Sequence, residues 1–168
     1  MSTSASSSIE REHAKPPGAR TIDEVLQEAR SRLHRLPPQE AFERTQQTQC
    51  PPAVLVDIRP AAQREIHGVI PGALVVERNV LEWRFDPQSG SRLGVIDEEG
   101  RGYDIEVIIY CQEGYTSSLA AASLKDLGLS RATDIEGGIK AWKETGLPIE
   151  FLHAPHSYTS GAFGSNST

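Results

Sequence analysis

Cys111 ends a strand-like run, Ile105-Glu106-Val107-Ile108-Ile109-Tyr110, and opens a short loop, Cys111-Gln112-Glu113-Gly114-Tyr115-Thr116, before a helical pattern starts at Ser117-Ser118. A cysteine between a strand end and a helix start lies where backbone amides converge and the helix dipole is positive. That setting favours the thiolate, the reactive form of the side chain. The chemistry implied is covalent catalysis at sulfur. Gly114 lets the backbone curl without a Cβ penalty. Amides of residues 112–117 pointing inward would form an anion-binding nest, and the hydroxyls of Thr116 and Ser117 can cap the following helix and donate into it. A thiolate held in such a field needs no general base.

The other candidates are weaker. A cysteine phosphatase places an Arg six residues after its nucleophile to fork onto phosphate oxygens; here that position is Ser117, which argues against a phosphatase. Arg59 stands at a strand end, where it could assist an anionic donor, and Asp57 beside it reads as structural. Arg84 could reach the mouth of the site, although a solvated surface Arg is the simpler reading. Cys50 precedes Pro51-Pro52 with no loop or helix start and reads as a bystander. His67, His153 and His156 lack metal-ligand spacing, so no metal and no cofactor are expected.

The elements that must hold Cys111 follow from patterning. The chain has 168 residues and a net charge of -6, enough length for one domain with a real core and the wrong sign for a nucleic-acid surface. No apolar run spans a bilayer and no secretory leader is predicted, so a reducing, cytoplasmic setting without membrane association is expected. Residues 1–20 read as a disordered arm and 21–49 as an N-terminal helical extension, opened by a capping box at Thr21 and Glu24 and divided by Pro37-Pro38. Strands are expected at Val54–Ile58, Ala73–Val76, 105–110 and Thr133–Ile135. Asn79 should cap a short helix holding Val80, Leu81 and Trp83, and 86–104 should be a surface loop containing some turn structure. A helix with Ala120, Leu124 and Leu127 on one stripe should stop at Gly128, and a last helix should start at Ile139. Alternating strands and helices predict an α/β fold, a mostly parallel central sheet with helices on both faces, with Cys111 at a strand carboxyl end. Residues 50–150 form the domain and 151–168 a flexible tail.

Four stretches in this order resemble the rhodanese-like sulfurtransferase family in a single-domain form: Val56-Asp57-Ile58-Arg59, Gly68-Val69-Ile70-Pro71-Gly72-Ala73, the Cys111–Thr116 loop, and Gly137-Gly138 with Trp142. The resemblance implies a three-layer rhodanese-like fold and a rhodanese-type enzyme of thiosulfate:cyanide sulfurtransferase kind. Cys111 would carry sulfane sulfur as a persulfide. Gln112, Glu113, Gly114, Tyr115, Thr116 and Ser117, with Arg59, would hold the substrate. Its partners would be a small sulfur donor and a thiol or cyanide acceptor. Val69 replaces the usual His of the turn, and Arg64 stands where an acidic residue is common. The loop also lacks the basic residue of members that use thiosulfate well and carries Glu113, which repels a dianion. Two other classes therefore stand beside the enzyme. One is a sulfur-carrier or redox-signalling module served by a protein partner, with little turnover on small donors. The other is a silent interaction domain, which the intact loop disfavours.

Overall fold

The computed structural model describes residues 14–48 and 52–151, so Cys50, the first thirteen residues and the tail from 152 lie outside the described residues. Helix α1 (Ile22–Ser31) starts on the predicted capping box: Thr21 accepts from the Glu24 amide and Glu24 accepts from the Thr21 amide. Helix α2 (Pro38–Thr45) follows the proline pair. Strands β1 (Val54–Asp57), β2 (Leu74–Val75), β3 (Val107–Tyr110) and β4 (Ala132–Asp134) form one parallel sheet in the order β2-β1-β3-β4. Between them run α3 (Ala61–His67), α4 (Leu81–Phe85) and α5 (Thr116–Asp126), with α6 (Gly138–Glu144) last. Among the described residues no helix is long and apolar enough to cross a membrane.

Alternation along the strands builds two cores. Val54, Val56, Val107 and Ile109 pack with Leu81, Phe85, Ala120, Ala121 and Leu124 on one face. Leu55, Ile108 and Tyr110 pack with Leu36, Ala41, Ile139 and Trp142 on the other. This is the period-two signature of strands buried on both sides, and each large side chain so buried contributes roughly 1.5–3 kcal/mol. Phe42 of α2 meets Trp142 of α6 edge to face at 5.9 Å.

Several expectations are corrected. Helix α3 was not foreseen; none of its residues is buried, so it carries no apolar stripe. Asn79 does not cap α4: it lies inside a 3-10 turn, Arg78–Val80, and Val80 takes the cap position without a side-chain bond. The third strand begins at Val107 rather than Ile105 because Ile105, though buried, still belongs to the incoming loop. The 86–104 stretch holds three 3-10 turns, and Ile96 pins them into the core.

The N-terminal segment joins the sheet at its β4 edge. Leu36 is fully buried and bridges in parallel to Ile135, just past the end of β4. Helix α1 packs along α5, the helix that follows Cys111.

Candidate active site

The parallel register brings three strand ends together. Asp57 lies level with Tyr110, and Asp134 with Ile109, so Cys111 emerges between two buried carboxylates. A buried carboxylate needs charged or hydrogen-bonding partners, and each of these has an arginine.

On the β1 side, Arg59 donates Nε to Asp57 Oδ1 at 2.9 Å and Nη2 to Oδ2 at 2.6 Å. Its remaining donors reach the Gly68 carbonyl at 2.8 Å and Gln112 Oε1 at 3.1 Å. Burial opposes the charge, but the Asp57 carboxylate more than offsets it, and the guanidinium pKa is raised. Arg59 is only 1% exposed. Arg59, expected as a contact for an anionic donor, turns its donors inward here, and one of them holds Gln112, the first residue of the loop after the cysteine. Arg64 in turn donates to the Arg59 carbonyl and lies 3.6 Å from Glu77.

On the β4 side, Arg35 donates Nε to Asp134 Oδ1 at 2.9 Å and Nη2 to Oδ2 at 3.1 Å. The same Nη2 reaches the Gly114 carbonyl at 3.0 Å. Arg30 of α1 donates to that carbonyl at 2.8 Å and, through Nε, to Ser118 Oγ at 3.2 Å. Its guanidinium also lies 5.4 Å from the centre of the Tyr115 ring. Ser117 and Ser118 both donate their hydroxyls to Asp134 Oδ2, at 2.9 and 2.8 Å.

Cys111 is buried, 9% exposed. Its Sγ accepts from the Ser117 amide at 3.4 Å and donates to Ser117 Oγ at 3.4 Å. Ser117 is the second residue of α5, so this amide is one of the unsatisfied N–H groups at a helix start. Thr116 and Ser117 do not cap the helix, as the sequence had suggested; Tyr115 takes the cap position and makes no side-chain cap bond.

Behind the loop, Ile139 and Lys140 donate their amides to the carbonyls of Cys111 and Gln112, at 3.0 and 3.1 Å. Backbone packs on backbone here, which explains the glycines. A Cβ on Gly114 would fall 2.8 Å from the Gly137 nitrogen, and one on Gly138 would strike the Cys111 carbonyl. Both residues also hold positive φ.

Of the remaining predicted residues, Gln112 is half-buried, while Glu113, Tyr115 and Thr116 face solvent. Glu113 pairs with Lys140 at 3.1 Å, which raises the Lys140 pKa and balances the carboxylate at the rim. Arg84 bonds the Ser91 carbonyl within its own loop. Sequence reasoning missed Arg30, Arg35, Ser118 and Asp134 as parts of the site. The one available signal was an acidic residue inside the short β-branched run Thr133-Asp134-Ile135.

The arrangement is a recessed thiol under a helix start, with a loop braced from both sides of the sheet. A model of the rhodanese-like domain matches residues 38–145. A sulfurtransferase of Allochromatium vinosum is 34% identical over 96 residues, 57% of this chain and 77% of that protein. The thiosulfate sulfurtransferase GlpE of Actinobacillus pleuropneumoniae is 38% identical over 48 residues, 29% of this chain and 44% of its own length. Among solved structures, a Rhodopseudomonas palustris protein of unknown function, described as a possible tyrosine phosphatase, has a TM-score of 0.65 at 33% identity, covering 82% of this chain and 100% of its own. The polysulfide-sulfur transferase homodimer of Wolinella succinogenes shares the fold, with a TM-score of 0.57 at 18% identity over 93% of this chain and 95% of its own. The matched segment contains both buried carboxylates, the Cys111 loop and the paired glycines that close on it: this chain belongs to the rhodanese-like domain family.

Proposed function

We propose that this protein is a sulfurtransferase that carries sulfane sulfur on Cys111. The Cys111 thiolate attacks the outer sulfur of a donor. A new S–S bond forms, the donor's S–S bond breaks, and sulfite leaves if the donor is thiosulfate, or a thiolate if it is a persulfide. The enzyme is left as Cys–S–S⁻. A nucleophile, cyanide or a thiolate, then attacks the terminal sulfur; that S–S bond breaks and the Cys111 thiolate is restored. Two half-reactions through a covalent intermediate give ping-pong kinetics.

The observation that carries this reading is the Ser117 amide, 3.4 Å from Sγ at a helix start, aimed where anionic sulfur would sit. The sulfurtransferase identity of the Allochromatium vinosum relative supports it. Phosphoryl transfer is disfavoured even though one structural relative is described as a possible phosphatase. Ser117 stands where a phosphate-binding Arg would be needed, and Arg30 and Arg35 are engaged by the Gly114 carbonyl.

A second reading has one observation of its own. Glu113 and Tyr115 leave the loop as exposed side chains, 53% for the Glu113 side chain and 58% for Tyr115, and could meet a protein donor or acceptor. In that case small donors turn over slowly and a protein persulfide turns over well. A reducing, cytoplasmic setting suits either reading, since the thiol must stay reduced.

The test is intact-protein mass spectrometry of wild type and Cys111→Ser after thiosulfate and, separately, glutathione persulfide. One added sulfur, absent in the variant and removed by cyanide, is the expected result. No adduct from either donor, with Cys111 still open to alkylation, would overturn the enzyme reading.

A further inference from the structure

Two of the cations that touch the loop come from outside the family segment. The match begins at residue 38, and Arg30 and Arg35 lie before it. Both donate to one carbonyl oxygen, that of Gly114. Fixing this carbonyl fixes the whole peptide plane, because a trans peptide holds the Tyr115 N–H antiparallel to it, on the side of the loop away from the arginines.

Most of the charges around the loop are paired, and Arg30 differs. Asp57 is paired with Arg59, Glu113 with Lys140, and Asp134 with Arg35. Arg30 has no carboxylate within ion-pair distance among the described residues; its partners are the Gly114 carbonyl, the Ser118 hydroxyl and the Tyr115 ring. Arg30 therefore stands, with no carboxylate partner of its own, against a loop that has no basic side chain. It is only partly exposed, so solvent screens it less than it would a surface charge.

We propose that Arg30 and Arg35, supplied by the N-terminal segment, are positioning residues of the Cys111 loop that lock its Gly114 carbonyl, and that the charge of Arg30 draws anionic sulfane-sulfur donors in place of a basic loop residue. This rests on the sulfur-transfer reading above. It assigns the N-terminal segment to the active site.

The experiment uses the full chain as wild type, Arg30→Gln, Arg30→Lys and the double variant Arg30→Gln/Arg35→Gln. Two rates are measured at Cys111 and located by peptide mapping: persulfide formation from thiosulfate, a dianion, and alkylation by iodoacetamide, which is neutral. A merely structural role slows both reactions alike. The expected result is a thiosulfate rate about tenfold lower, relative to alkylation, in Arg30→Gln. The double variant should fall further, and Arg30→Lys should recover most of the loss. An unchanged ratio in Arg30→Gln and in the double variant, with wild type still forming persulfide, overturns this inference alone. No persulfide on wild type from thiosulfate or glutathione persulfide overturns the sulfur-transfer reading and this inference with it. If the variants fail to fold by circular dichroism, the ionic-strength dependence of wild type decides. The thiosulfate rate should fall with added salt while alkylation holds steady, and a salt-independent ratio overturns the inference.

Discussion

Ser117 donates a hydrogen bond to Asp134, with its Oγ 2.9 Å from Oδ2, and that Oγ lies 3.4 Å from Cys111 Sγ. While the sulfur carries a proton, it can donate to that oxygen. Once the sulfur is an anion, the hydroxyl can turn and donate to it. Asp134 is not abandoned by that turn, because Ser118 and two nitrogens of Arg35 still donate to it.

Ser117→Ala should therefore slow persulfide formation, by about tenfold to a hundredfold, since one donor to the developing anion is gone. Stability should fall by only about 1 kcal/mol. Persulfide formation followed by quenched mass spectrometry, beside urea denaturation, separates the two effects. A loss of stability without a loss of rate would remove Ser117 from the mechanism.

Asp134→Asn should be far more damaging to the fold. It leaves the Arg35 guanidinium, 16% exposed, without its countercharge, and a broken buried pair of this kind costs about 3 kcal/mol. The urea midpoint should drop accordingly. Arg35→Lys should not be benign either, because an ammonium cannot reproduce the two-point grip.

The glycine behind the loop gives a steric prediction. Gly138→Ala puts a methyl group into the Cys111 carbonyl at a residue with φ of 61°. The expected cost is about 2 kcal/mol or more, together with a changed alkylation rate at Cys111. Gly72→Ala, also at positive φ but with open space around its Cβ, should leave that rate unchanged.

Tyr110 predicts the alkaline limit. Its phenol is buried, and burial together with the nearby Asp57 carboxylate raises its pKa well above the ordinary value. Below about pH 10 the phenol is neutral in both folded and unfolded chains, so the group adds no pH dependence there. Above that, the unfolded chain gains by ionising and the folded one does not, so stability falls as pH rises. Urea denaturation at about pH 8 and about pH 11 should show that fall. Tyr110→Phe should flatten it, at a cost of about 1 kcal/mol at the lower pH because the Ile70 amide loses its partner.

What could be read from the sequence divides by the range of the interaction. The β-branched run from Val54, the Thr21–Glu24 cap and the Cys111 loop are local patterns, and each reports itself within a few residues. Arg30 and Arg35 do not. On a short amphipathic helix and its exit they look like ordinary solvent-facing charges, and their partners Gly114 and Asp134 lie 84 and 99 residues away. Arg59 was legible as a residue but not in its direction: only the fold reveals that its donors point toward Asp57 and Gln112 rather than outward. Helix α3 left no trace because none of its apolar side chains is buried.

The distance in sequence between Arg35 and Asp134 also orders events in time. Closing a span of 99 residues is entropically unfavourable and is rewarded only after the intervening strands have met. During synthesis, α1 emerges before β4, and Arg30 and Arg35 complete their contacts only once the Cys111 loop and β4 have folded. The thiol is thus completed late, when both ends of the domain have joined, and its reactivity toward anions becomes a readout of finished folding.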